Sequence, residues 1–256
     1  MPMTQIPNLP VAYNLVQMET VDSTNEEAKK LAKLGESKAP DGTLVWALSQ
    51  TKGRGRANKK WHSPKGNLYF SLILRPDICL NSAAQLSFVT AVALCGAIGE
   101  VCEPGIEVYC KWPNDILLYD RKVAGILLET EGDSHNKVKF VIIGAGVNLA
   151  HFPEISDFPA TSLVEEGQAV PDIKMLEAFT RHFMDWANRW MDDGFEHIRL
   201  EWKRLAKGIG KEVQVNHASH SEKGVFVDLD PNGALILEQS GQMKSISAGS
   251  MVFCPT

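Results

Sequence analysis

The chain has 256 residues, enough for one large domain or a large domain with a small companion. At 44% hydrophobic and 22% charged it has the balance of a globular chain whose core needs neither disulfides nor a structural metal. A net charge of −5 argues against a surface coated in nucleic acid, although a local basic cluster is present.

The opening stretch, MPMTQIPNLPVAYN, lacks the basic and apolar regions of a secretory signal. Residues 22–34 predict a helix that starts at a capping box, with Ser23 and Glu26 bonding each other's backbone and Gly35 ending it. The apolar run 43–48 predicts a buried strand, 53–66 a glycine-rich basic loop, and 68–74 a second strand. Residues 82–101 predict a mostly buried helix, with Ser82 and Gln85 as a second capping box. Strands follow at 106–111, 115–119, 122–129 and 138–144, and their short connections favour antiparallel hairpins. Residues 172–205 predict a long amphipathic helix or helix pair, broken near Gly194. After residue 206 the pattern changes to short strands at 213–215, 225–229, 234–237 and 245–247, separated by tight turns. The expectation is an α+β domain over 1–206 and an all-β module over 207–256.

Five scattered cysteines without a CxxC pair fit buried thiols in a reducing compartment, and their spacing with the seven histidines predicts no metal site. The longest apolar stretch, within 86–98, is too short to cross a bilayer. A cytoplasmic protein without a membrane segment is expected.

Gly53-Arg54-Gly55-Arg56, followed by Lys59, Lys60 and Trp61, is the sharpest local feature. The glycines would let the backbone bend through φ > 0, and the arginines offer forks for phosphate or carboxylate oxygens. The loop is neither a P-loop nor a dinucleotide fingerprint. Taken alone it reads equally as an anion-binding loop, a solvated basic turn or a nucleic-acid patch.

Its company narrows the choice. Ser23-Thr24-Asn25, Gln50, the loop just described and Trp61-x-Ser63-Pro64-x-Gly66-x-Leu68-Tyr69 are followed by Lys111-Trp112-Pro113-Asn114-Asp115. Lys122-x-Ala124-Gly125-Ile126-Leu127 and Gly144-x-Gly146-x-Asn148 complete the ordered set. This set resembles that of the biotin–protein ligases, over nearly the whole chain. The resemblance implies a class II synthetase-like catalytic domain, with a mixed, largely antiparallel sheet flanked by helices, and an SH3-like β-barrel at the C-terminus. It implies biotin and ATP as substrates, Mg2+ carried on the ATP phosphates, and a biotin carboxyl carrier domain as partner.

By the same resemblance Ser23, Thr24, Asn25 and Gln50 hold biotin's ureido ring, which as an uncharged donor–acceptor group suits hydroxyl and amide partners. Helix capping for Ser23 and Thr24, and a surface amide for Gln50, are the plain alternatives. Gly53, Arg54, Gly55, Arg56, Lys122 and Gly125 are implied around the biotin. Arg54, Arg56, Trp61, Lys111, Asn114, Lys122 and Asn148 are implied at the nucleotide. Arg54, Asp115 and Lys122 are the catalytic candidates. Lys122 would neutralise charge at the reacting phosphorus, and Asp115 would act as base for the carrier lysine or, equally, orient a turn or magnesium. Trp61 would cover the adenine or lie in a core, and the closed loop would keep water from a labile acyl-adenylate.

Departures are Ala57-Asn58 where many members have Arg-Gly, a stretch at 63–69 shorter by a residue than in some relatives, and Ser250 where an acidic residue is common. Twenty-two residues precede Ser23, too few for the helix-turn-helix domain of regulatory members, so no DNA binding is expected. The segment 106–129 offers an edge for a possible homodimer. The rival readings are a lipoate or octanoate ligase or transferase, with Cys110 as a conceivable nucleophile, and a non-catalytic biotin or adenylate sensor.

Overall fold

The computed structural model describes residues 6–154, 158–217 and 219–254. The apolar runs form a seven-stranded sheet. In spatial order it comprises β1 (Asn14–Val21), β2 (Thr43–Gln50), β3 (Leu68–Leu74), β7 (Val138–Val147), β6 (Arg121–Gly132), β5 (Asp115–Leu118) and β4 (Val108–Lys111). β1 and β2 pair in parallel and the other neighbouring strands antiparallel, so the mixed sheet has the expected character.

Alternation gives the sheet two unlike faces. Leu68, Phe70 and Leu72 point into the main core, beneath α3 (Gln85–Val101), α4 (Asp172–Asp193) and α5 (Phe195–Leu205). Phe70 meets Phe179 of α4 with ring centroids 4.5 Å apart. On the opposite face Ile73, Val45, Phe140 and Ile142 pack under Ala28 and Ala32 of α1 (Thr24–Lys33). α1 covers only one end of that face, and the loop after β2 covers the rest.

The helical break falls at Gly194, whose φ of 78° separates α4 from α5. The stretch Leu80–Val101 (a short α2, Leu80–Ala83, then α3) is 22 residues long and apolar enough to cross a membrane, longer than the sequence reading allowed. Its side chains from Leu86 to Ile98 are largely buried against the sheet and α4, so its apolarity serves the core.

Neither capping box forms. No side-chain cap closes α1 at Ser23 or α3 at Ala84. Glu26 reaches Arg54 instead, and Gln85 accepts from Trp190 Nε1 at 2.8 Å. Distant partners outcompete the local pattern in both cases. β1 was not foreseen: NLVQMETV carries polar residues on a largely exposed edge and shows no clear apolar alternation.

The C-terminal region, where an SH3-like barrel was expected, forms a five-stranded antiparallel sheet. Its order is β11 (Gln242–Ile246), β10 (Leu235–Gln239), β9 (Ser221–Leu229), β8 (Glu212–Asn216) and β12 (Ser250–Phe253), the last a strand the sequence reading missed. It docks on the β4–β5 turn and on α5: Trp112 Nε1 donates to the Gly233 carbonyl at 3.1 Å, and Arg199 donates to Asp228 at 3.1 Å. Of segment 106–129 only β4 lies at an edge, and there Lys207 N–H donates to the Cys110 carbonyl at 2.8 Å.

Candidate active site

The site is built on the face that α1 leaves open. Across the sheet Tyr69, Gly146, Gly125 and Asp115 form one row of cross-strand partners, and Ser71, Gly144 and Leu127 form the next. Glycines at the centre of both rows leave a shallow floor. Trp61 lies on it: a Cβ at Gly146 would come within 2.3 Å of Trp61 Nε1, and one at Gly125 within 3.1 Å of the same indole. Among the described residues that buried Nε1 has no hydrogen-bond partner.

The loop bearing Trp61 is tied down at several points. Tyr69 donates its hydroxyl to the Pro64 carbonyl at 2.9 Å. Asn67 Oδ1 accepts three successive backbone N–H groups, from Leu149, Ala150 and His151, at 2.9–3.0 Å. The glycines work differently from expectation. Neither Gly53 nor Gly55 has positive φ; those values fall at Ala57 (51°) and Asn58 (58°), the two positions that depart from the usual pattern. Gly53 is needed for room, since a Cβ there would lie 2.4 Å from both Ser63 Oγ and the Trp61 carbonyl, whereas at Gly55 the nearest such contact is 3.5 Å.

At one end of the floor sits a network of hydroxyl and amide groups, neutral except for the Glu129 carboxylate at its border. Ser23, Thr24 and Asn25 are each only 4% exposed. The Thr24 N–H, an orphan donor of the first helical turn, is taken by Gln50 Oε1 at 2.8 Å. Gln50 Nε2 donates to Ser63 Oγ at 3.0 Å, and Ser63 to the Trp61 carbonyl at 2.9 Å. Ser71 Oγ lies 2.8 Å from Thr24 Oγ1 and 2.6 Å from Asn25 Oδ1, with one proton for two acceptors. Asn25 Nδ2 donates to Glu129 Oε2 at 3.0 Å, and Gly144 makes space for that amide.

At the other end sits a charged cluster. Asp115 receives Lys122 Nζ at 2.5 Å on Oδ1 and Lys111 Nζ at 3.1 Å on Oδ2. Burial alone would raise the Asp115 carboxyl, but the two ammonium groups outweigh it and hold it below the usual carboxylate range. Lys111, 3% exposed, is shifted downward by its own burial, with Asp115 opposing. Its Nζ also lies 4.3 Å from the centre of the Phe158 ring. Lys122 Nζ stands 5.2 Å from the centre of a Trp61 ring. The Lys122 backbone is clasped by a later segment, donating to the Pro159 carbonyl at 2.7 Å and accepting from Thr161 at 2.9 Å. Asn148 Nδ2 holds the same segment through the Thr161 carbonyl at 3.0 Å.

The two arginines do not converge as expected. Arg54 pairs with Glu26 and lies 3.7 Å from Glu129, beside the neutral network. Arg56 donates to Asn114 Oδ1 at 3.2 Å and to the Gly249 carbonyl at 3.3 Å, beside the charged cluster. Asn114 in turn donates to the Ile126 carbonyl at 2.5 Å. Trp61, Gly125 and Lys122 connect the two ends in one site.

The chain matches the Biotin/lipoate A/B protein ligase family over residues 9–204 and the Biotin protein ligase C terminal domain over 208–253. The chain belongs to the biotin–protein ligase family. It is 38% identical over 238 residues to the "Biotin--[acetyl-CoA-carboxylase] ligase" of Paracoccus denitrificans, covering 91% of this chain and 97% of the relative. It is 37% identical over 244 residues to the "Bifunctional ligase/repressor BirA" of Bacillus subtilis, covering 92% of this chain and 73% of that one. The solved biotin protein ligase from Aquifex aeolicus in complex with biotin and ATP superposes with a TM-score of 0.80 at 28% identity, covering 95% of this chain and 99% of that one.

In this ligase the thiol that a transferase reading would need as nucleophile is out of reach. Cys110 is fully buried 3.5 Å from Cys95 Sγ, and burial and that neighbour push it well above the usual thiol range. The sequence reading of the ligase missed Ser71, Ser63, Glu129, Phe158 and the Gly249 carbonyl. Ser71 had left a trace, as the lone polar residue in the apolar strand LYFSLIL.

Proposed function

We propose that the chain joins biotin to ATP as biotinyl-adenylate and then passes the biotin to a lysine of a biotin carboxyl carrier domain. A biotin carboxylate oxygen attacks the α-phosphorus and pyrophosphate leaves. The carrier amine then attacks the acyl carbon, forming an amide as AMP departs. The observation that carries this reading is the pairing of a neutral, buried hydrogen-bonding end with a cationic end across a glycine floor.

The ureido ring fits the neutral end, where buried Thr24, Asn25 and Ser71 and half-buried Gln50 offer hydroxyl and amide groups. Ser23, whose carbonyl receives the Glu27 N–H, holds the helix start in place. The acyl–phosphate junction falls at Lys122, which is 24% exposed and so remains reachable by an anion. Its ammonium offsets the charge that grows on phosphorus, a preorganised contribution. Adenine displaces Trp61 from the floor or stacks on it, with Asn114 and a second Nδ2 proton of Asn148 at its edge. Arg54 and Arg56 latch the loop to α1 and to Gly249, excluding water from the adenylate.

Asp115 has both oxygens engaged by lysines and a depressed pKa, so it serves better as the group that positions Lys122 and Lys111 than as a base. For the same reason it is a poor magnesium ligand, and Glu129 is held by Asn25 with Lys29 at 3.7 Å. These two carboxylates therefore do not form a protein-built Mg2+ site. Residues 1–206 would supply the reaction and 207–256 would help close the site. The cysteines of the described residues are free, and only Cys95, Cys102 and Cys110 are buried as expected, Cys79 being exposed and Cys254 half-buried; free thiols fit a cytoplasmic setting.

The test is incubation with ATP, Mg2+ and a carrier domain, offering biotin and lipoate in parallel. Avidin-detectable labelling of the carrier with biotin is expected. Transfer of lipoate alone would overturn the reading.

A further inference from the structure

The turn between β8 and β9 carries ligand-type side chains that the reacting cluster does not use. His217, His220 and Glu222 place one ligand atom each within 4.8 Å of one another. The backbone arranges this, since the His217 N–H donates to the His220 carbonyl at 2.8 Å and folds the turn back on itself. Both imidazoles aim at one carboxylate oxygen: His217 Nε2 lies 3.3 Å and His220 Nε2 3.5 Å from Glu222 Oε1. The His217 Nε2 is buried and has no hydrogen-bond partner among the described residues. Its contact with Glu222 Oε1 is of ion-pair length without hydrogen-bond alignment, so the nitrogen keeps capacity for a further ligand.

We propose that His217, His220 and Glu222 form a binding site for a divalent transition ion of the zinc type. Two imidazoles and one carboxylate are a ligand set that Zn2+ accepts at about 2.0–2.2 Å, with water in the fourth position. Mg2+ and Ca2+ require mostly oxygen ligands and do not fit. Sequence spacing hid the site because the third ligand is an acid rather than a histidine or cysteine. The rings now stack with centroids 4.3 Å apart and planes 10° apart, so their lone pairs run side by side. They must splay to converge on an ion, and His220, with 57% of its side chain exposed, would give up only an exposed contact of Nδ1 with Ser219 Oγ at 3.3 Å to do so. Glu222 keeps Oε1 for the ion while Lys244 holds Oε2, which makes the carboxylate monodentate and moderates the affinity. A Cβ at Gly249 would lie 3.6 Å from His217 Cε1, so the site adjoins the residue whose carbonyl receives Arg56.

The full-length protein, stripped with EDTA, is titrated with Zn2+ alone by calorimetry and by thermal unfolding. One ion per chain is expected, with a rise of a few degrees in Tm as the folded state is stabilised by mass action. His220→Ala should lose at least about tenfold in affinity and the Tm rise, while keeping the parent's metal-free Tm. Substitution with Co2+ should give visible bands of a nitrogen–oxygen site without thiolate charge transfer. No binding to the parent would overturn the proposal. So would equal binding to His220→Ala, or a thiolate signature, which would place the ion at a cysteine.

Discussion

At the α1 end of the site, buried Thr24, Asn25 and Ser71 and half-buried Gln50 bond one another through uncharged groups, with the Glu129 carboxylate as a charged neighbour of Asn25. At the β5–β6 end, Lys111, Asp115 and Lys122 gather three charges, one of them on a side chain still open to solvent. Under the proposed function the contrast separates two tasks. A neutral network in a dry setting discriminates by geometry, because each mismatched partner leaves a buried polar group unsatisfied. A charged cluster does little for recognition of a neutral ring, but it stabilises charge that appears only as the reaction proceeds. Substitutions at the first end should therefore raise KM for biotin, and those at the second should lower kcat.

The largest effect is expected at Lys122. Lys122→Ala removes the cation proposed to act at the phosphorus and should slow biotinyl-adenylate formation by about a thousandfold, with little change in biotin affinity. Pyrophosphate exchange and biotin titration on the same sample measure both. A loss confined to biotin affinity would erase the proposed division.

Gly144→Ala attacks the neutral end through space rather than chemistry. The added Cβ would overlap the Asn25 amide and dislodge it from Ser71 and Glu129. Biotin KM should rise by about a hundredfold while adenylation at saturating biotin falls far less, a rough scaling from several disrupted buried hydrogen bonds. An unchanged KM would remove Asn25 from the biotin pocket.

Asp115→Asn distinguishes positioning from base catalysis. As a positioning group Asp115 serves both half-reactions, so adenylation and transfer should fall together by about tenfold to a hundredfold. Selective loss of transfer would restore the general-base role. Stability should drop by about 3 kcal/mol, because Lys111 is left as a buried cation without its partner. The pH dependence has a fixed sign. A carboxyl held below its unfolded value, about 3.9, contributes stability above that value and loses it as pH falls through the lower folded pKa. The difference in urea midpoint between parent and Asp115→Asn should therefore be flat from pH 8 to 5 and shrink in stronger acid.

The charged end was legible in the sequence because its residues come in unbroken words, 111–115 and 122–127, whose hairpin register brings Asp115 opposite Gly125. The neutral end was only half legible. Its helix start was visible, but Ser71 and Glu129 enter from strands far along the chain, and nothing local marks them as partners of Asn25. The same reason explains the failed capping boxes, where Glu26 and Gln85 had long-range partners that no local pattern contains. The loop was legible in composition and misread in conformation: its positive φ values sit at Ala57 and Asn58, and Gly53 is there for lack of a side chain. Strand β1 escaped because an exposed edge needs no apolar alternation.

The smallest and most discriminating test is Ser71→Ala. The Ser71 hydroxyl has one proton and two neighbours, Thr24 Oγ1 and Asn25 Oδ1, so removing it frees both from a partner without opening space for a new one. Losing one neutral buried hydrogen bond costs about 1 kcal/mol, roughly a fivefold to tenfold rise in biotin KM. Because Ser71 lies on the row of Gly144 and not on the row of Asp115, kcat at saturating biotin should stay within about twofold of the parent. Ser71→Thr restores the hydroxyl but adds a methyl to a fully buried position, so it should recover biotin affinity only if the floor can yield. A fall in kcat at unchanged KM in Ser71→Ala would mean that the neutral network tunes the chemistry itself, and the separation of the two ends would fail at its most sensitive point.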